Sequence, residues 1–304
     1  MAITLAAQPE FAAQYIVDGT IKIEGFDVDT AWDAAGVYPS AFRTPLYDVI
    51  ILPISNFLIA MDKALPLVGL PVIIDSFFPQ LAVRVNRHAG IETAKDLEGK
   101  RVGVRGFAFS PAVWVRGAMA DVYRVDLTKI TWVVAEPNSL SGVDVPMGSG
   151  FNVEVGADLI SDLETGKLDA VLWDRGGPEP TENTTFLFAD PLAEALKYHN
   201  HLGVFPVNSM LVAKRATLDA NPGLADAIVS AYDQAWERYF SNVSDSVDFM
   251  GLPMKWLRSN ALVPIRNGVD NNRQSFETAT RYAHEQGIIN RRLEVENLFY
   301  EGAI

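Results

Sequence analysis

The residues best suited to chemistry run from Asp96 to Ala112, Asp-Leu-Glu-Gly-Lys-Arg-Val-Gly-Val-Arg-Gly-Phe-Ala-Phe-Ser-Pro-Ala. Val102, Gly103 and Val104 form a short apolar run behind a Gly-Lys-Arg turn, and Ser110 followed by Pro111 has the composition of a helix N-cap and first helical position. Val115, Ala118, Met119 and Val122 then recur at helical spacing, so the pattern predicts a strand aimed at a helix start. The free N–H groups of such a start, with Arg105 beside them, favour a carboxylate, phosphate or sulfonate. The same residues equally suit an ordinary strand-to-helix connection with no ligand.

The elements that must carry this loop are short and alternate in type. Ile3 to Ala6, Ile21 to Ile23, Tyr47 to Leu52, Leu67 to Ile74, Leu81 to Val85, Ile130 to Val134 and Leu168 to Trp173 read as strands. Helical patterns follow at Pro53 to Met61, Asp158 to Thr165, Leu224 to Phe240 and Ser275 to Gln286. The segment from Glu136 to Gly150, rich in Gly, Pro, Ser and Asn, reads as an insertion or lid. Strand–helix alternation favours an α/β architecture with parallel-rich sheets. Crossings near residues 85–87 and 202–206 divide the chain into a discontinuous lobe, 1–86 plus 204–304, and an inserted lobe, 87–203.

Composition narrows the partners. A chain of 304 residues with 49% hydrophobic content and a formal net charge of -13 suits neither nucleic acid nor an anionic membrane, which demand a basic surface. An anionic ligand therefore needs a local positive pocket. There is no cysteine, which removes disulfides, thiolate catalysis and zinc–thiolate sites. The apolar stretch Val49 to Ile74 is interrupted by Pro53, Asp62, Lys63, Pro66 and Pro71 and reads as core, not as a span. Met1-Ala-Ile-Thr-Leu-Ala-Ala-Gln lacks the basic and long apolar regions of a secretory signal, so the expectation is a cytoplasmic protein; a homo-oligomer is compatible with all of this. His199-Asn-His201 reads as a solvated loop, and with His88 and His284 equally lacking clustered carboxylates, neither a metal nor a cofactor is expected.

Tyr15-Ile-Val-Asp-Gly-Thr-Ile-Lys-Ile-Glu-Gly-Phe-Asp, Asp96-Leu-Glu-Gly-Lys-Arg-Val-Gly-Val, Ala112-Val-Trp-Val-Arg-Gly, Thr131-Trp, Gly166-Lys-Leu-Asp-Ala, Phe205-Pro-Val and Ala283-His-Glu-Gln-Gly resemble, in order, the 4,5-dihydroxyphthalate decarboxylase family. Ala-Val-Trp-Val-Arg-Gly and Tyr282-Ala-His-Glu-Gln-Gly are the pieces most particular to that branch. The resemblance implies a two-lobed type II periplasmic-binding-protein-like fold with a hinge between the lobes. It implies a decarboxylase acting on a small aromatic or cyclic acid held between them. Where the family carries an Arg and His patch this chain has Ser76, Pro79 and Gln80, and Phe205-Pro206-Val207-Asn208-Ser209 lacks the family's histidine. A phthalate presents two carboxylates that each want a charge-assisted donor. The departures therefore point to a monoacid or a less charged ring.

Decarboxylating an arene without a cofactor requires an acid to protonate the ring carbon and a site that stabilises the ring intermediate. Arg105, Arg175 and Arg43 are the candidate donors to the acid group, with Ser55, Ser110 and Asn208 as neutral partners. Phe109 and Trp173 are the candidate walls for an aromatic ligand. Ser209 stands where the histidine is missing, but a hydroxyl does not titrate near neutrality, which leaves Glu10 and Asp174 as carboxylates that desolvation could tune upward. The rival readings are a solute-binding protein of an ABC transporter for a small organic acid or sulfonate, and an enzyme of related fold such as the menaquinone-pathway dehydratases and synthases.

Overall fold

A computed structural model describes residues 2–32, 47–135, 148, 150–173 and 177–301. The strands of the two main sheets are β1 (Ile3–Ala6), β2 (Val28–Ala31), β3 (Val49–Pro53), β4 (Leu67–Ser76), β5 (Val83–Asn86), β6 (Arg101–Val104), β7 (Thr131–Val134), β8 (Asn152–Val155), β9 (Ala170–Leu172), β10 (Thr184–Phe186) and β11 (Val207–Lys214). They form a five-stranded sheet ordered β2-β1-β3-β11-β4 and a six-stranded sheet ordered β10-β5-β9-β6-β7-β8. In the first sheet β1 pairs parallel with β2 and β3, while β11 runs antiparallel to both β3 and β4. In the second, β6 pairs parallel with β7 and β9, and β7 with β8. Strands covered on both faces, whether central like β3 or at the sheet edge like β4, are apolar over the covered stretch. Val49 to Leu52 and Leu67 to Val72 are buried at every position.

The chain leaves the first sheet at the end of β4, enters the second at β5, and returns through the helix Pro191–Leu202 into β11. Taking each sheet as the floor of a lobe, we propose the two-lobe division with its first crossing at 77–82. The reading from residues put that crossing after Asn86, but Val83 to Val85 pair with Leu172 to Ala170 and so belong to the second sheet.

Other expectations also shift. Ile21 to Ile23 is not a strand, because Ile21 N–H donates to Tyr15 O and Thr20 N–H to Asp18, folding this segment back on the helix Gln14–Val17; β2 takes the place beside β1. His199 and His201 lie in the last turn of the helix Pro191–Leu202, not in a loop, and a ring nitrogen of His199 sits 3.0 Å from Val204 O. That helix carries its own start and stop, since Asp190 accepts from Ala193 N–H, Pro191 follows, and Gly203 closes it at φ 67°. The last long helix runs Val269–Glu285, beginning earlier than expected because Asn272 holds Arg266 O and Gly268 O at its polar first turn.

Candidate functional site

Both crossings leave the first sheet at one edge, the end of β4 and the start of β11. Because β11 is antiparallel to β3 and β4, this is also the edge where β3 ends and the helix Ile54–Asp62 begins. From there Ser55 Oγ donates to Ala108 O at 2.6 Å, in the loop that follows β6. The C-terminal strand edges of the two sheets therefore face each other, which is where open α/β sheets place ligands.

In the second lobe a cavity of about 500 Å³ opens at this edge, lined by Arg105, Phe109, Asp158, Ile160, Leu172 and Trp173 among others. Arg105, Ala135 and Trp173 are the residues immediately past the ends of β6, β7 and β9, so parallel pairing alone brings them side by side. The structure thus unites three residues singled out from sequence, Arg105, Phe109 and Trp173. The Arg105 guanidinium is 5.6 Å from the Phe109 ring and makes no hydrogen bond or ion pair with any described residue. Trp173 is held by its backbone N–H to Ala82 O at 2.8 Å and by Gly177, where any side-chain carbon would overlap the indole.

Asp158 is the acidic residue among the described residues of this lining, and local spacing marks it only as a helix start. It does cap the helix Leu159–Glu164, accepting Ser161 N–H on one carboxylate oxygen at 3.1 Å, and its other oxygen has no partner among the described residues. Arg84 was not anticipated. It is buried behind Trp173, stacked 3.7 Å over Phe186 and donating to Leu81 O and Pro178 O; burial pushes its guanidinium pKa down while Glu179 opposes that shift.

Ser55 and Ser110 meet each other, not the cavity. Their hydroxyls lie 2.7 Å apart, and Ser110 Oγ accepts Ser55 N–H at 3.1 Å. Ser110 was expected to cap its own helix; instead Phe109 occupies the cap position of the helix Ser110–Asp121, and the Ser110 hydroxyl serves the first turn of the helix in the opposite lobe.

Glu10, Asn208 and Ser209 belong to the first lobe. Glu10 and Ser209 line a smaller cavity of about 60 Å³ with Asp75, Tyr232 and Trp236. Asn208 donates to Asp75 at 2.7 Å, and the fully buried Tyr232 hydroxyl, its pKa pushed up by burial, has no hydrogen-bond partner among the described residues. Asp75 was not anticipated, although a lone carboxylate ending the apolar run of β4 was a visible signal. Arg43, Asp174 and Arg175 lie outside the described residues, as does most of the expected lid, 136–150. Among the described residues no group of three or more His, Asp or Glu side chains could hold a metal ion, and no helix is long and apolar enough to cross a membrane.

Two α/β lobes joined by two crossings, with strand ends facing across a cleft, define a type II periplasmic-binding-protein-like fold. The chain belongs to the NMT1/THI5-like family, whose model matches residues 48–244. It is 26% identical to the 4,5-dihydroxyphthalate decarboxylase of Comamonas testosteroni over 311 residues, covering 95% of this chain and 93% of that one. It is 27% identical to the protein of the same name from Pseudomonas putida over 198 residues, 62% of this chain and 77% of that one. The resemblance read from the residues agrees with these relatives. Among solved structures, the periplasmic aliphatic sulphonate binding protein SsuA of Escherichia coli superposes with a TM-score of 0.59 at 14% identity, covering 99% of this chain and 98% of that one. The alkanesulfonate-binding SsuA of Xanthomonas axonopodis pv. citri, bound to MOPS, gives 0.57 at 14% identity, with 98% of each chain covered. At that identity the likeness speaks for the fold.

Proposed function

We propose that the second-lobe cavity binds a small organic acid carrying one negative charge on an apolar or aromatic body, and that the protein decarboxylates it. The observation that carries the binding half is Arg105, a cation with no ionic partner among the described residues, beside a cavity whose other walls are mainly Phe109, Leu172, Ile160 and Trp173. Such a site rewards one carboxylate through charge-assisted hydrogen bonds and a ring through apolar burial. Asp158 disfavours a second carboxylate and offers its unused oxygen to a hydroxyl or N–H on the ligand.

The enzymatic half is supported by the decarboxylase relative that spans nearly the whole chain. The reaction breaks the bond between ring carbon and carboxylate, leaves the electron pair on that carbon, releases carbon dioxide and takes up one proton. A ring hydroxyl supplies electron density, and Glu10 in the facing lobe is the candidate acid. Ser209 beside it is suited to orient ligand or water rather than to supply the proton. The fold shared with sulfonate-binding structures favours a second reading, binding without chemistry.

A panel of hydroxylated aromatic mono- and dicarboxylates, followed by thermal shift and carbon dioxide release, separates these readings. Monoacids should bind more tightly than 4,5-dihydroxyphthalate and lose carbon dioxide. Tight binding with no carbon dioxide release would hand the function to transport or sensing, and efficient turnover of the dihydroxyphthalate would overturn the monoacid preference.

A further inference from the structure

Three of the segments that carry the family resemblance do not line the cavity. Ala112–Gly117, Phe205–Val207 and Tyr282–Gly287 converge at a junction between the lobes. Trp114 Nε1 donates to Val207 O at 2.8 Å, and the Tyr282 ring lies edge-on to Trp114 with centroids 5.6 Å apart. Gly117 faces that same Tyr282 ring, which any side-chain carbon there would overlap. Gln286 spans the junction with both ends of its carboxamide: Oε1 accepts from Arg116 Nε at 2.7 Å, and Nε2 donates to Val113 O at 2.9 Å.

Arg116 is wholly buried and has no carboxylate partner among the described residues. Its Nη2 donates to Phe107 O, its guanidinium lies 4.2 Å from the Phe107 ring and 5.3 Å from Trp132, and its Nη1 has no hydrogen-bond partner among the described residues. Burial pushes its pKa down to about 9, so the group still carries its charge at neutral pH. Burying a guanidinium without a counter-ion is costly, and an apolar side chain of similar length would fill the same space without that cost. What an apolar side chain would not do is grip Phe107, which sits midway between Arg105 and Phe109.

We propose that Arg116 is a positioning residue for the anion site. By holding the Phe107 carbonyl it fixes the backbone that presents Arg105 and Phe109 to the cavity, and Gln286 ties that constraint to the other lobe. The inference rests on the reading of the cavity as an anion site. Its geometry requires a fork: a lysine supplies the charge from a single point, whereas the guanidinium serves Phe107 and Gln286 together.

The test compares the full chain with its Arg116→Lys and Gln286→Met variants in two measurements. Hydrogen–deuterium exchange without ligand reads the loop directly, with Phe109 N–H, bonded to Gly106 O, as the reporter. Calorimetry with 4-hydroxybenzoate and its neutral counterpart 4-hydroxybenzamide reads the site. Arg116→Lys should speed exchange across 105–109 while leaving β11 protected, and should weaken 4-hydroxybenzoate about 10-fold with little change for the amide. Gln286→Met should act in the same direction and decides the matter should Arg116→Lys fail to fold. Unchanged loop exchange in the variants overturns the proposal, as does equal weakening of acid and amide, which marks a merely structural role. If the unaltered protein binds neither probe yet the variants loosen the loop, the anion reading fails while the loop-holding role of Arg116 stands.

Discussion

At the scale of single residues, the described lining of the cavity divides its labour between the cation Arg105 and the acid Asp158. Among the described residues Arg105 has no carboxylate to neutralise it, so Arg105→Ala should weaken an aromatic monoacid by about 1–2 kcal/mol, toward the low end for a charged hydrogen bond because the side chain is exposed. Calorimetry with 4-hydroxybenzoate checks this, and unchanged affinity would put the acid group elsewhere. Asp158 allows a cleaner test, since asparagine caps a helix as well as aspartate does. Asp158→Asn should leave the thermal midpoint in place while improving the affinity of a dicarboxylate relative to a monocarboxylate; a ratio that does not move would remove Asp158 from the selectivity of the site. Arg105, Phe109 and Trp173 were legible because each follows, within a few residues, an apolar run that ends in a turn. Arg84 and Arg116 were not, because nothing local in a pattern of apolar spacing marks an arginine that will be buried.

At the scale of elements, Ser110 shows how a correct motif can serve another element. The Ser-Pro pair does begin a helix, yet the serine hydroxyl is spent on Ser55 N–H across the cleft. Ser110→Ala would strand a buried donor at the first turn of the helix Ile54–Asp62, at a cost of about 1–2 kcal/mol. Chemical denaturation should report that loss, and a variant as stable as the parent would mean that Ser55 finds another acceptor. The strands β1, β3, β4, β7 and β9 were readable because strands covered on both faces are mostly apolar runs, β4 included although it pairs antiparallel. The helix Pro191–Leu202 was passed over despite its Asp-Pro start and Gly stop, since its Lys, His and Asn residues dilute the apolar period. The first turn of Val269–Glu285 was hidden for the same reason: Asp270, Asn271 and Asn272 read as loop until Asn272 is seen to bind the backbone of that turn.

At the scale of the whole molecule, the lobes are joined by more than their two crossings. Asp121, ending the helix Ser110–Asp121 of the inserted lobe, accepts from Arg281 at 3.1 Å through Nη1, again from Arg281 Nη2, and from the Tyr282 hydroxyl at 2.8 Å, all on the last long helix of the other lobe. With Ser55–Ser110 and Arg116–Gln286, this makes helix Ser110–Asp121 a shared core element rather than one lobe's own. Such ties could not be read in advance, because local spacing does not indicate that Asp121 will meet a residue 160 positions away. Burial alone would raise the Asp121 pKa, but Arg281 and Tyr282 outweigh it and hold the carboxyl below its ordinary value of 3.8. A carboxylate depressed in the folded state contributes stability that is present above its unfolded pKa and is lost as pH falls through the folded value. The interlobe tie should therefore be intact at neutral pH and weaken below about pH 4. Asp121→Asn should cost about 1–3 kcal/mol at pH 7, less than for a fully buried pair because both partners keep some solvent access, and should flatten the acid limb of the stability profile. Urea denaturation of both proteins from pH 3 to pH 7 supplies the comparison, and two profiles that stay parallel throughout would show that this ion pair does not govern how acid separates the lobes.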